Sequence, residues 1–217
     1  MVAGVAGLPE VLPGPGGPYD GAVNPWLVLA TLAVSAAPAD PPSLLGITLT
    51  RTSFSQVGVA LGHATLTRAG EDVQACYTAA RAGDRTVVVF TSGAMGGFGL
   101  EVGAFALHAR APDRPGMAGC TRSSRVRSDV VTSTGLRLGM SEAAVVKLLG
   151  SPAERSPGRL VYRSVRAQAP APAVRERFAA AGRALGPDDT VQLHEETRLE
   201  LVGGRVTSIE VARAESI

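Results

Sequence analysis

Two stretches of the chain repeat one pattern of apolar and polar positions. Residues 46–49 read Gly-Ile-Thr-Leu, and residues 135–138 read Gly-Leu-Arg-Leu. A segment with apolar residues three or four positions apart follows each stretch, and this spacing puts the apolar side chains on one face of a helix. The pattern therefore predicts two short amphipathic helices. Their apolar positions are Phe54, Val57 and Leu61 in the first segment and Val145, Leu148 and Leu149 in the second.

Both predicted helices carry start and stop signals. Ser53 followed by Gln56 has the spacing of a capping box, in which each side chain bonds to the other residue's backbone N–H. Ser141 supplies a second capping hydroxyl, and Glu142 behind it suits the positive end of a helix dipole. Each segment ends in Leu-Gly, at Gly62 and at Gly150. Glycine commonly follows the last helical residue, so we expect the helices to end there.

Strand patterns follow both predicted helices. The first half predicts strands over residues 73–79, 85–90 and 100–109, with a glycine-rich turn at 93–99. The second half predicts strands over residues 159–164, 197–202 and 205–212, with Gly203-Gly204 as a hairpin turn. Residues 165–195 interrupt this order. We interpret them as a surface insertion that holds a short helix at 174–185.

The order of elements predicts an α+β fold of two tandem helix-plus-antiparallel-sheet units. The first unit spans residues 40–128, and the second spans residues 129–217. Each helix is expected to cover the apolar face of its sheet. The opposite face is then open to water or to a partner.

Residues 1–39 have the composition of a leader with a signal peptide. An apolar run from Trp26 to Ala37 precedes a small-residue zone that ends at Ala39, as in secretory signals. No Lys or Arg precedes the run, so a disordered leader before a buried helix is the alternative. No cysteine lies near the cleavage zone, and we expect a periplasmic or secreted protein that is not a lipoprotein. No apolar run reaches the roughly 18 residues of a membrane-spanning helix.

Cysteine use agrees with export. The chain has two cysteines, Cys76 and Cys120. In an oxidising compartment such a pair predicts one disulfide, whereas two buried free thiols would be expected in a reducing compartment.

Composition and motifs argue against several functions. The formal net charge of +2 excludes a strongly basic nucleic-acid binder. No catalytic or cofactor-binding motif is present, and we expect neither an enzyme nor a bound cofactor. His63, His108 and His194 lack the spacing of metal ligands, so no metal site is predicted. The acidic pairs Asp188-Asp189 and Glu195-Glu196 are interpreted as solvated loop or strand-edge residues.

An arginine cluster surrounds Cys120. Its members are Arg110, Arg114, Arg122, Arg125 and Arg127. The cluster could meet anionic lipid or a cell-wall polyanion, which leaves a peripheral membrane association open. We favour a solvated linker between the two units, because no aromatic residues interleave with the arginines.

One segment resembles a known family. Residues 139–152 read Gly-Met-Ser-Glu-Ala-Ala-Val-Val-Lys-Leu-Leu-Gly-Ser-Pro, and the strand at 160–162 and the hairpin at 199–206 follow. This arrangement resembles the SmpA/OmlA family of outer-membrane assembly lipoproteins, to which BamE belongs. Residues 46–110 resemble a second, more diverged copy. Tandem copies are also similar to secreted β-lactamase inhibitor proteins, in which two units form one concave sheet.

The resemblance implies a non-enzymatic protein-binding or structural role in the bacterial envelope. Alternation predicts that Arg198, Glu200 and Glu210 point away from the core, and we take them as the candidate partner face. A secreted inhibitor that caps an enzyme through its sheet is the alternative. A hydrolase that uses His108 or His194 is a third hypothesis, and it requires these residues to converge in one pocket.

Overall fold

Strands dominate the part of the chain that the structure describes. The computed structural model describes residues 40–70, 72–92, 101–112, 119–170 and 172–216. The predicted leader at 1–39 and the predicted glycine-rich turn at 93–99 lie outside these residues. Residues 40–217 form one compact unit. The predicted boundary at 128–129 falls within it.

Three short helices and eleven strands are found in the described residues. The helices are α1 (Phe54–Leu61), α2 (Glu142–Leu149) and α3 (Pro172–Ala180). The strands of the first half are β1 (Ser43–Leu44), β2 (Ile47–Thr48), β3 (Thr67–Ala69), β4 (Asp72–Ala79), β5 (Val87–Thr91), β6 (Ala104–His108) and β7 (Thr121–Ser123). Those of the second half are β8 (Glu154–Ser156), β9 (Arg159–Gln168), β10 (Val191–Val202) and β11 (Arg205–Ser216).

Nine of these strands form one sheet in the order β3-β4-β5-β6-β11-β10-β9-β8, with β7 beside β4. Neighbours along this order are antiparallel. Only the β4–β7 pair is parallel among the described strands. The strands β6 and β11 join the two halves through five aligned residue pairs, from Ala104–Ala212 to His108–Ser208. The predicted α+β class is therefore confirmed, with far more strand than helix.

The helix limits match the capping signals of the sequence. Ser53 accepts a bond from the backbone N–H of Gln56, and the Gln56 side chain bonds back to the N–H of Ser53. The hydroxyl of Ser141 accepts from the N–H of Ala144. Gly62 and Gly150 follow the helices at φ 103° and φ 81°. Such positive φ values cost a side chain-bearing residue more than glycine.

One hydrophobic core fills the space between the helices and the sheet. Phe54 and Val57 of α1 and Val145 of α2 pack into it. From the sheet, residues of both halves join the same cluster: Ala75, Tyr77, Val88, Phe90, Phe105, Leu107, Leu160, Leu199, Ile209 and Val211. Burial of these apolar side chains is the main force that holds the helices on this face.

Several strands differ from the prediction. Strand β9 continues to Gln168, and β10 begins at Val191, so both ends of the predicted 165–195 insertion belong to the sheet. Strand β11 continues beyond the predicted end at Ala212. Pairing of residues 159–168 of β9 with residues 191–200 of β10 stabilises these polar segments, which lack a strong hydrophobic pattern. Helix α3 ends at Ala180, five residues before the predicted limit at 185.

The predicted disulfide between Cys76 and Cys120 is confirmed. Cys76 lies in β4, and Cys120 immediately precedes β7. The next residues of the two segments, Tyr77 and Thr121, are aligned partners in the parallel pair. The bond therefore fixes the start of β7 against an outer strand of the sheet.

Candidate functional site

The face of the sheet opposite α1 and α2, which we call the open face, carries a groove. Its volume is about 300 Å³. The groove crosses the junction between the two halves, since residues of β4, β5, β6, β10 and β11 line it. These residues are Asp72, Gln74, Val89, Thr91, Ala104, Phe105, Ala106, His108, Glu196, Arg198, Glu210, Val211 and Ala212.

Small side chains at the centre of the sheet create the groove. Ala104 aligns with both Thr91 and Ala212, and Ala106 aligns with both Val89 and Glu210. Side chains alternate between the two faces of a strand, so these alanines share one face while Phe105 and Leu107 enter the core. Methyl groups fill less space than the longer side chains on either side.

An ionic network forms one wall of the groove. Arg163 of β9 bonds through Nε to Glu196 Oε2 at 2.6 Å. Its Nη1 atom bonds to Glu154, and Arg198 bonds to the other oxygen of Glu196. Burial raises the pKa of Glu196, but the hydrogen bond from Arg163 and the charges of both arginines outweigh this effect. The pKa of Glu196 is therefore below its ordinary value, and this keeps the Glu196 carboxylate in the wall ionised.

The structure brings the three predicted partner-face residues together on the open face. Arg198 and Glu210 are aligned partners of β10 and β11. Glu200 lies two residues after Arg198 in β10, so its side chain is on the same face. The register of β10 against β11 shifts just after it, between Glu200 and Leu201. Arg198 and Glu200 are exposed, and Glu210 is half-buried. In the described part of the chain, Glu210 has no ion-pair partner.

The three histidines lie at separate places. His108 is buried, and its Nδ1 atom lies 3.0 Å from Ser208 Oγ. His194 is exposed and contacts Ser216 Oγ at 3.0 Å. His63 follows the end of α1. The pocket that the hydrolase hypothesis requires is not formed by His108 and His194. No group of three metal-ligating side chains is found among the described residues.

The arginine cluster is divided among different contacts. Arg125 donates to the carbonyls of Ala60 and Leu45 at 3.2 and 2.9 Å, so it ties α1 to the β1–β2 hairpin. Arg127 pairs with Asp129 at 3.1 Å on the surface. Arg110 and Arg122 are exposed, and Arg114 lies outside the described residues. Arg125 therefore has a structural contact that its position in the sequence did not reveal.

The sequence also failed to indicate a partly buried ionic cluster on the helix-covered face. Glu195 bonds to Arg166 at 2.9 Å and to Arg213 at 3.0 Å. Burial lowers the pKa of Arg213, and the charge of Glu195 opposes this shift. The interpretation of Glu195-Glu196 as solvated is wrong, because β10 directs the two carboxylates to opposite faces, each against arginines. The alternation Ile209, Val211, Arg213 was the available signal for an inward-facing arginine.

Comparison with protein-family models, with curated proteins and with solved structures finds no match to this chain. None of the helices in the described residues has the length and apolar character needed to cross a bilayer.

Proposed function

We propose that this chain is an exported, non-enzymatic protein-binding module of the bacterial envelope, and that its open face binds the partner. The observation that carries the proposal is the groove on the face opposite α1 and α2. One face of the sheet is used for the core, and the other presents small and ionic side chains at its centre.

The chemistry of the groove favours a protein partner. A volume of about 300 Å³ is at the lower end for small-molecule sites, but it accommodates a side chain from another protein. Among the described residues, its lining carries three carboxylates, Asp72, Glu196 and Glu210, and one guanidinium group, that of Arg198. A partner that offers a basic side chain opposite Glu210 would satisfy a carboxylate that lacks an ion pair in the described structure. Complementary charges of this kind contribute specificity and fast association.

The order of elements supports two BamE-like units, 40–128 and 129–217. Helix α1 precedes β3 to β6, and helix α2 precedes β8 to β11. The last strand of each set, β6 or β11, lies at the centre of the joint sheet. In this proposal a cleaved leader at 1–39 delivers the protein to the periplasm or beyond.

The inhibitor-like function is kept as a second candidate because the sheet is continuous. Since β6 pairs directly with β11, the open face extends across both halves without a break. One soluble enzyme could therefore contact both halves at once. The two candidates differ in the partner, not in the surface.

Site-specific photocrosslinking in the native host tests the proposal. A photoreactive phenylalanine derivative at Glu210 should capture one protein reproducibly. The matched control is the same derivative at Val59, which is 83% exposed on α1, away from the open face. Alanine at Arg198, Glu200 and Glu210 together should abolish binding of the captured protein to the purified chain. Unchanged binding by this triple variant would exclude the surface.

Fractionation of the captured partner separates the two candidates. A partner in the envelope-membrane fraction supports an assembly or structural role. A freely soluble enzyme whose activity falls when the chain binds supports the inhibitor role. Capture only at Val59 would contradict both.

A further inference from the structure

The outer edge of β9 is largely uncovered. Strand β9 aligns with β10 along its whole length, from Arg159 to Gln168. On its other side, β8 pairs with Arg159, Leu160 and Val161 only. No other described strand pairs with residues 162–168. This part of β9 is therefore an edge of the sheet.

The edge is accessible. Arg163, Ser164, Val165 and Ala167 are all exposed. Val165, the large apolar residue of this edge, is 59% exposed.

Alternate backbone groups of this edge point outward. Leu201 donates its backbone N–H to Gly158 O, and Leu199 is aligned with Leu160. In an antiparallel ladder, successive residues direct their N–H and C=O groups to opposite sides. The backbone groups of Leu160 and every second residue after it therefore face β10. Those of Arg163, Val165 and Ala167 face outward.

The charges that commonly protect such an edge are neutralised here. Exposed edges usually carry charged side chains, prolines or bulges that prevent another strand from adding. Arg163 is bonded to Glu154 and Glu196, and Arg166 is bonded to Glu195. The register of β9 against β10 has no shift, and residues 162–168 contain no proline.

We propose that the outer edge of β9 pairs antiparallel with the same edge of a second copy of this chain, centred on Val165. This register places Val165 opposite its own counterpart. Arg163 then faces Ala167, and Ser164 faces Arg166, so no like charges lie directly opposite each other. About six backbone hydrogen bonds form between Arg163, Val165 and Ala167 and their counterparts.

Self-complementarity is what favours a second copy over an unrelated strand. A two-fold axis at Val165 makes both edges use the same residues, as an isologous dimer requires. Pairing at the outer edge of β9 extends the sheet in its own plane, whereas the groove lies on the open face of β4, β5, β6, β11 and β10. The proposed dimer therefore leaves the open-face groove free, and it does not depend on the proposed function.

Sedimentation velocity of the full chain over a range of concentrations tests the proposal. The unmodified chain should approach twice the monomer mass as its concentration rises. Val165→Lys places two ammonium groups opposite each other and should weaken the dimer by about tenfold or more. The matched control is Val202→Lys, because Val202 is 71% exposed but lies at the turn between β10 and β11. This control should dimerise normally.

A mixture of Val165→Lys and Val165→Glu variants addresses folding at the same time. Neither variant should self-associate strongly, but the mixture should form a heterodimer visible by native mass spectrometry. Restored pairing shows that both variants are folded and that position 165 lies at the axis. A chain that stays monomeric at every concentration would overturn the proposal, as would a dimer unaffected by Val165→Lys. Protection of β9 amides only after addition of a different protein would also overturn it.

Discussion

At the scale of the residue, two tyrosines on the helix-covered face use their hydroxyl groups differently. Tyr77 is buried, and its hydroxyl donates to the carbonyl of Gly62 at 2.9 Å, just beyond the end of α1. The Tyr162 hydroxyl is also buried but has no hydrogen-bond partner in the described structure. Burial raises the pKa of both phenols. The first hydroxyl contributes a bond, and the second carries only a desolvation cost.

This difference gives a matched pair of substitutions. Tyr77→Phe leaves the Gly62 carbonyl without its donor and should lower the free energy of unfolding by about 1 kcal/mol. Tyr162→Phe removes an unsatisfied hydroxyl and should leave that free energy unchanged or raise it. Urea unfolding of both variants measures the two values. Equal losses of unfolding free energy at the two positions would contradict the hydrogen bond assigned to Tyr77 and the lack of one at Tyr162 in the described structure.

At the scale of the element, local signals in the sequence predicted the ends of α1 and α2 and the centres of the main strands. Ser53, Ser141 and the Leu-Gly endings act within a few residues, so the sequence alone reveals them. The short strands β3, β7 and β8 were not predicted. Each has only three residues, and β7 reads Thr-Arg-Ser. Such strands form because a neighbouring strand and, for β7, a disulfide hold them, and no local pattern encodes these contacts.

The candidate site was predictable to the same limited extent. Alternation identified Arg198, Glu200 and Glu210 as residues of one face, since their apolar neighbours Leu199 and Ile209 mark the core side. The sequence did not reveal the small residues that form the floor of the groove. Ala104, Ala106 and Ala212 come from distant parts of the chain, and small residues give no signal until the register of β6 against β11 is known.

The disulfide leads to a prediction about the local stability of β7. Replacement of both Cys76 and Cys120 by alanine should lower the free energy of unfolding by about 4 kcal/mol, because the unfolded chain regains the entropy of a long loop. Strand β7 makes only three aligned pairs with β4, so it should then open locally. Hydrogen exchange measures this opening. We expect the β7 amides to lose protection relative to those of β10 and β11. Equal protection of β7 and β11 in the variant would show that pairing alone holds β7.

At the scale of the whole molecule, the two halves share one sheet and one core. Leu107 of β6 and Ile209 of β11 are aligned partners, and both are fully buried in the cluster that contains α1 and α2 residues. A contact of this kind couples the stability of the two halves. We therefore expect residues 40–217 to unfold in one cooperative transition, although the sequence resembles two units in tandem.

A conservative change at the junction tests this coupling. Ile209→Val removes one buried methyl group and should lower the free energy of unfolding by about 1 kcal/mol. If the halves unfold together, amides of β4 and β5 exchange through the same opening as those of β10. All of them should then exchange about fivefold faster in hydrogen-exchange mass spectrometry.

The control is Val59→Ala on the exposed side of α1, which should change none of these rates appreciably. Faster exchange confined to β9, β10 and β11 would mean that the second half opens by itself. In that case a partner on the open face would bind two semi-independent surfaces. Uniform acceleration instead means that a partner held by Glu210 also stabilises β4 and β5, because binding to the folded state raises the cost of the one shared opening.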